Sequence, residues 1–582
     1  MLAALLFLGV FLWRVQVLGV TEYRTSLDRQ SMRRVRLPAP RGVIADRLGV
    51  RLADNRPSFC IAVYIEELKQ PGRWNRTIDR VDEVISRLAA VLGLEKQVDR
   101  EDIWNHIRRR LPLPFLAWRD VGGEALARWA EHSAMFPGVD VHIEPVRFYP
   151  HGSLAAHVLG YVGQSDPARD PDVPYHYYLP EVEGQYGVEK AFDDVFAGTA
   201  GGKLLRVDAA GFKYEEVHER APVPGRGLRL TVDSRIQRAA ERLLADRRGA
   251  AVVLDPRNGD VLALASSPAF DPNAFSSRLS PAVWRRLRSD PQRPLFNRAV
   301  SGTYPPGSTF KTLVALAALE NRRAAGDSRF NCPGYFDIGG VRFHCWKRSG
   351  HGLVAMREAL EQSCNAYFCQ LGLSCGYEYI YHMAEAVGFG RPTGIRLGAE
   401  LGGLLPGDAW KRSRYRDGWR AGDTCNVSIG QGALLVTPLQ MAVFTAAMAN
   451  GGYVFRPRLL FQPGRKGELV NDLHWSPASL QVVRGGMYDV VQDPSGTGKR
   501  ARIEGVEMGG KTGTAEYGPK SDRRKYAWMI AFAPFRDARY AVAVVVEDAV
   551  SGGTTAAPMI RELMAEIFVL EREDEAAGRR RA

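Results

Sequence analysis

The sequence predicts an α+β domain that follows a mixed, loop-rich segment and an apolar N-terminal run. Strand-like stretches at 250–254 and 261–265 are answered near the other end by 528–533 and 541–546. Helical patterns fill the interval, among them 313–319, apolar on every side as a buried central helix is. Residues 556–570 then fit a closing helix, so one sheet joins the two ends of the domain.

At 582 residues, 45% of them apolar, the chain can bury more than one core. Charged residues at 25% exclude wholesale disorder despite a net charge of +13. The dense basic clusters, Arg33-Arg34-Val35-Arg36, Arg108-Arg109-Arg110 and Arg579-Arg580-Arg581, read as solvated faces. Attraction to anionic membrane lipid or to an anionic polymer is the functional alternative. No aromatic-interleaved nucleic-acid motif stands out, so nucleic acid is not an expected partner.

Residues 1–20 form an apolar run broken by Arg14 and Gln16, marginal for a span of roughly 20 residues. Without a small-x-small cleavage site before Thr21 it reads as an uncleaved single-pass anchor. The basic start expected of such an element is missing, so the true N-terminus is expected to lie upstream. Residues 21–226 are punctuated by turns and carry no catalytic cluster. After Gly225-Arg226-Gly227 the pattern changes: 228–232 alternates like a strand and 234–246 is spaced like an amphipathic helix. The expected division is therefore 1–20, 21–226, 227–570 and a charged tail at 571–582.

The chemistry concentrates in the third part. Pro305-Pro306-Gly307 stops regular structure, and Ser308-Thr309-Phe310-Lys311 enters the apolar helix directly. That places Lys311 on the face of Ser308, where an amine of lowered pKa can take the hydroxyl proton. Ser363-Cys364-Asn365 supplies a second hydroxyl and an amide for proton relay. Lys511-Thr512-Gly513-Thr514 follows Gly509-Gly510 and suits a strand edge against which an extended peptide pairs, its carboxylate held by Lys511 and the threonines. Each segment alone has a bland reading as a capped helix, a polar helix segment or a glycine-rich turn.

In this order and at these separations, the three resemble the S-x-x-K, S-x-N and K-T-G set of the penicillin-binding proteins and serine β-lactamases. Arg41-Gly42 with Asp46-Arg47-Leu48-Gly49, Arg147-Phe148-Tyr149-Pro150, Gly184-Gln185-Tyr186-Gly187-Val188-Glu189 and Ser428-Ile429-Gly430-Gln431-Gly432 resemble boxes of the class B, high-molecular-weight penicillin-binding proteins. Cys332-Pro333-Gly334, Cys345-Trp346 and Gly350-His351-Gly352 look most like penicillin-binding protein 2, the elongation-specific branch. The division-specific branch is the nearest rival.

The resemblance implies a penicillin-binding/serine β-lactamase-like transpeptidase domain, preceded by an elongated pedestal domain and an N-terminal transmembrane helix. It implies a D-Ala-D-Ala transpeptidase or carboxypeptidase of the bacterial inner membrane, its catalytic domain in the periplasm. Ser308, Lys311, Ser363, Asn365 and Lys511 are then catalytic, and Thr512, Gly513 and Thr514 bind substrate. Implied partners are stem peptides ending in D-Ala-D-Ala, β-lactams as inhibitors, a SEDS-family membrane glycosyltransferase and elongation-complex proteins. The chemistry requires no cofactor.

Cys332, Cys345, His351 and Cys364 fall within about 33 residues and form a donor set for structural zinc. Buried free thiols or a Cys332 to Cys345 disulfide are the alternatives. Cys369, Cys375 and Cys425 read as core residues. Two further readings compete. Gly505-Val506-Glu507-Met508-Gly509-Gly510-Lys511-Thr512 satisfies the P-loop pattern, though Gly513 follows where a helix should open. A β-lactamase-like hydrolase or antibiotic sensor would use the same acylation motifs.

Overall fold

The computed structural model describes residues 2–18, 31–110, 113–165, 176–178, 181–208, 213–276, 279–519 and 521–578. At the N-terminus a helix, Leu2–Trp13, continues as a π-turn over Arg14–Leu18. From Leu6 to Trp13 its apolar side chains stand in the open, Phe7 at 75% exposure. No helix among the described residues is long and apolar enough to cross a membrane, and positions 19 and 20 of the expected anchor lie outside them.

The segment read as loop-rich is built of strands and helices. Strand Arg51–Val63 pairs antiparallel with Val139–Phe148 along ten residues, from Asp54 opposite Phe148 to Val63 opposite Val139. Helix Trp74–Leu92 covers this sheet with Ile78, Val81, Ile85 and Leu88, an i, i+3, i+4 stripe. A second sheet runs in the order Lys213–Arg220, Gly201–Val207, Met32–Leu37, His176–Tyr178. Apart from Gly201–Val207 with Lys213–Arg220, the pairing partners lie far apart in sequence, which is why local pattern did not reveal them. Strand Leu228–Arg229 pairs with Ile44–Ala45, so it belongs to this N-terminal unit rather than opening the next.

The C-terminal unit is organised by five antiparallel strands: β1 (Gly249–Leu254), β2 (Val261–Ser267), β3 (Gly509–Tyr517), β4 (Arg524–Ala533) and β5 (Tyr540–Val546). They lie in the order β2-β1-β5-β4-β3, which leaves β3 at an edge. Both faces are covered, so each central strand is an unbroken apolar run. Ala251 and Val253 face α1 (Ser234–Leu243), whereas Val252 and Leu254 join the core on the other face. That core holds α2 (Lys311–Glu320), α3 (Asn365–Cys375), α5 (Ala421–Ser428) and α6 (Pro438–Asn450) around it, whereas α4 (Asp408–Tyr415) buries no residue.

The closing helix α7 spans Ala557–Ala576, which takes in the first half of the expected tail, 571–576. Asp574 is 2% exposed, its carboxylate gripped by both Arg235 amines at 2.8 and 2.7 Å. Glu571 accepts from Tyr540 and Arg539, each at 3.0 Å. A run of charge reads as solvated from sequence, but Asp574 binds α7 to α1 and Glu571 binds it to the start of β5.

A buried ion network locks the N-terminal unit, and one carboxylate, Asp46, ties that unit to the next. Glu189 takes Arg147 at 2.6 Å, Arg41 at 2.8 Å and the Tyr149 hydroxyl at 3.2 Å, and neither Glu189 nor Arg147 exposes any side chain. Asp46 receives the backbone N–H and hydroxyl of Ser234, at the start of α1, at 3.1 and 2.7 Å. Removing one member leaves the others charged and unpaired in the interior, which costs about 3 kcal/mol. Glu189→Leu is therefore expected to lower the calorimetric unfolding midpoint by roughly 6 °C or more. An unchanged midpoint would overturn this assignment of the network.

Candidate active site

Ser308 lies in a 3-10 turn, Gly307–Phe310, that runs straight into α2. The turn is pressed against the edge strand. Gly307 has φ +56°, and a Cβ there would come within 2.8 Å of the Thr514 carbonyl; one on Gly513 would come as near the Pro306 carbonyl. No side chain fits between, so these glycines set the distance from nucleophile to β3. The far side is held by Gly430, whose carbonyl takes the Gly307 N–H at 2.9 Å, and by the Trp528 indole, which donates to the Pro305 carbonyl at 3.0 Å.

Lys311 is wholly buried. Its Nζ donates to the Ser363 carbonyl at 2.8 Å and to Asn365 Oδ1 at 2.7 Å, with Ser363 Oγ at 3.4 Å. No carboxylate is among these partners, so burial dominates and lowers its pKa to about 8, against an opposing pull from the neighbouring cysteines. Ser363 adopts φ +53°, a left-handed conformation uncommon outside glycine, and this aims both its oxygens at the amine. Cys364 is the N-cap of α3, its sulfur accepting from the Tyr367 N–H at 3.4 Å. The second motif is thus a helix start, not a helix segment.

The Thr514 carbonyl faces away from β4, since it accepts from Gln431 Nε2 at 3.4 Å. In an antiparallel strand the N–H of the same residue points the same way, so the Thr514 N–H also lies on the open edge, beside the Ser308 turn. These are the positions an oxyanion and an extended peptide require. Lys511 differs from expectation: it is fully buried and donates to the Thr512 carbonyl at 3.0 Å. Burial and then the charge of Lys311 push its pKa well below the usual value. Lys511 also sits inside a strand and opens no helix, which excludes the P-loop reading.

The motifs did not include Thr497. Its hydroxyl donates to the Glu361 carbonyl at 3.1 Å and accepts from Thr512 Oγ1 at 3.1 Å. A hydroxyl has one proton to give, so for Thr512 to turn its proton toward a carboxylate, Thr497 must turn toward Thr512. No signal in the sequence marked the residue, because its role depends on Thr512 lying beside it.

Cys332, Cys345, His351 and Cys364 converge, their donor atoms all within 4.8 Å of one another. The Cys332 and Cys345 sulfurs each lie 3.5 Å from His351 Nδ1. A tetrahedron with Zn–S of about 2.3 Å and Zn–N of about 2.0 Å has edges of roughly 3.6 Å, so the donor set fits zinc. All seven cysteines are free thiols. Cys345 is drawn toward thiolate by a hydrogen bond from Cys364 and then by His351, while the same bond and burial raise Cys364. The cluster is sewn to the second motif: Asn365 Nδ2 donates to the His344 carbonyl at 3.0 Å, and the Trp346 indole to the Gln362 carbonyl at 2.7 Å.

With a pKa of about 8, roughly a tenth of the Lys311 amine is neutral at pH 7. Acylation of Ser308 is expected to rise about tenfold per pH unit below about pH 8 and to level off above, in stopped-flow measurements of a chromogenic β-lactam. A flat profile through this range would remove Lys311 as the base. Thr497→Val should slow acylation by a carboxylate-bearing penicillin about fivefold relative to its methyl ester, with Thr497→Ser restoring the rate. Equal slowing of acid and ester would exclude the hydroxyl relay.

Residues 249–565 match the family model of the penicillin-binding protein transpeptidase domain, and residues 36–230 that of the penicillin-binding protein dimerisation domain. Peptidoglycan D,D-transpeptidase MrdA of Acinetobacter baumannii is 34% identical over 567 residues, covering 93% of this chain and 82% of that protein. The solved complex of penicillin-binding protein PBP2 with MreC from Helicobacter pylori aligns at TM-score 0.80 and 28% identity, over 93% of this chain and 99% of that one. Pseudomonas aeruginosa PBP2 in complex with WCK 5153 aligns at 0.66 and 30%, over 91% and 96%. The chain therefore belongs to the class B penicillin-binding proteins, with their dimerisation and transpeptidase domains.

Proposed function

We propose that this chain is the peptidoglycan D,D-transpeptidase of a cell-elongation machinery. The observation that carries the reading is the buried Lys311 amine, held by Ser363 and Asn365 beside Ser308 and an open strand edge. Ser308 Oγ attacks the penultimate D-Ala carbonyl of a stem peptide while Lys311 takes its proton. The oxyanion faces the N–H groups of Ser308 and Thr514. Collapse breaks the D-Ala-D-Ala amide, and the leaving amine receives a proton through the Ser363 hydroxyl, with Asn365 holding Lys311. Thr512 and Thr514 hold the terminal carboxylate, and Gly513 lets the strand lie close. An amine from a neighbouring stem then attacks the ester and forms the crosslink; water in its place gives the carboxypeptidase product. β-Lactams acylate the same oxygen.

Assembly and location belong to the same proposal. The likeness to an H. pylori protein solved with MreC supports an elongation-complex partner, and a SEDS-family glycosyltransferase would supply the glycan polymer. The exposed apolar helix Leu2–Trp13 supports an anchor in the bacterial inner membrane, with the catalytic unit in the periplasm. Cys332, Cys345, His351 and Cys364 would hold a structural zinc, which when bound crosslinks the 332–351 loop to the start of α3 and takes no part in the chemistry.

Ser308→Ala is expected to abolish covalent penicillin labelling of the intact protein by mass spectrometry; labelling retained at another serine would overturn the assignment. Elemental analysis of protein purified without chelator should give about one zinc per chain. His351→Ala with Cys364→Ser should abolish that zinc, and metal-free wild type would exclude the site.

A further inference from the structure

Between the second and third motifs the chain reads Asp408-Ala409-Trp410-Lys411-Arg412-Ser413-Arg414-Tyr415-Arg416-Asp417-Gly418-Trp419-Arg420-Ala421-Gly422-Asp423, five cations against three carboxylates. The intervening carboxylates and glycine mask it as a cluster, but the structure sorts its charges. Asp408 takes Arg412 at 2.7 Å and the Trp419 N–H at 2.8 Å. Asp417 takes Arg420 at 3.0 Å and Lys411 at 3.3 Å, and Asp423 also takes Lys411. Every carboxylate is spent, and the Arg414 and Arg416 guanidinium groups have no hydrogen bond or ion pair among the described residues, although the Arg416 backbone N–H donates to the Arg412 carbonyl at 2.9 Å. Both are exposed, and Tyr415 between them is 62% exposed, its ring edge-on to Trp410 at 5.6 Å.

A second observation concerns the backbone. Arg416 ends α4 with φ +55°, the left-handed position where glycine is favoured. An arginine held there keeps a second free guanidinium one residue past the exposed ring. The base beneath is firm: Trp419 stacks on Tyr377 at 3.9 Å and donates to Thr424 Oγ1 at 2.9 Å.

We propose that Arg414, Tyr415 and Arg416 form a docking rim for a carboxylate-bearing glycopeptide strand, the polymeric substrate of the Ser308 site; this rests on the transpeptidase reading above. Continuity with the site selects this partner. Helix α5 begins directly after Arg420 and, at about 1.5 Å per residue, is about 12 Å long. It ends at the turn where Gly430 holds Gly307. An extended peptide of about four residues spans that distance. Uncrosslinked stems end in carboxylates, which pair with guanidinium forks, and the Tyr415 ring offers an apolar face to sugar or peptide. A small β-lactam occupies only the Ser308 end and does not reach the rim.

The test uses the full chain as wild type, Arg414→Gln/Arg416→Gln, Arg414→Glu/Arg416→Glu and Tyr415→Ala. Each is measured for fluorescent-penicillin labelling, for cosedimentation with purified insoluble peptidoglycan at about 50 and about 500 mM NaCl, and for binding to phosphatidylglycerol vesicles. Expected are labelling within about twofold of wild type, peptidoglycan affinity about tenfold lower at low salt for the Glu pair and less so for the Gln pair, and a wild-type advantage lost at high salt. Where the Glu pair loses labelling through misfolding, the Gln pair and Tyr415→Ala decide. Equal peptidoglycan binding by wild type and labelled variants overturns the rim, as does a loss confined to the vesicles, which would assign the patch to lipid. Wild type that no penicillin labels overturns the transpeptidase reading instead, and the rim with it.

Discussion

A lysine amine sealed in the interior with no carboxylate beside it is the constraint on which the site depends. Water would hold Lys311 almost wholly charged; burial weakens that hold, and the amine sits among the carbonyl and hydroxyl of Ser363 and the amide oxygen of Asn365. Meeting that demand fixes three things together. Helix α2 must be buried on all sides, α3 must begin at this point, and Ser363 must take a left-handed backbone to turn its oxygens inward. The strain at Ser363 is offset by the hydrogen bonds it permits, and the result is an amine poised to accept a proton.

The second constraint is steric. Gly307 and Gly513 let the nucleophile turn and the edge strand approach with nothing between, and Gly430 and Trp528 clamp the turn from behind. A five-stranded sheet with both faces covered leaves only its edges for an extended peptide, and the edge beside Ser308 is the outer side of β3. There the glycines bring the Thr514 backbone next to Ser308. The N-terminal unit bears on this from a distance: the Glu189 network holds that unit together, while Asp46 and the Ala155 N–H bind it to α1 through Ser234 and Glu241.

The Cys332, Cys345, His351 and Cys364 cluster joins the two themes, because Cys364 caps α3 between Ser363 and Asn365. Whatever orders the 332–351 loop also orders the partners of Lys311. Hydrogen bonds from Asn365 to His344 and from Trp346 to Gln362 carry that coupling without contact to the nucleophile.

Ser308, Lys311, Ser363, Asn365 and the 511–514 run were legible because each lies in a short segment whose order and spacing survive without the fold. The α+β character of the C-terminal unit was legible for a similar reason: 250–254 and 541–546 are continuous apolar runs wherever they pair. The strands of the N-terminal unit were not, since Arg51–Val63 finds its partner some ninety residues later and is polar enough to pass for loop. Charge was read least well. Glu571 and Asp574 looked like a solvated tail and are buried ties, Lys511 looked like a carboxylate ligand and lies beneath the edge, and Thr497 drew no notice until Thr512 lay beside it. By itself the sequence determined which groups carry the chemistry, because reactivity resides in side-chain type and local spacing. Only the tertiary structure decided what each charge faces, because desolvation and hydrogen-bond partners are set by residues distant in the chain.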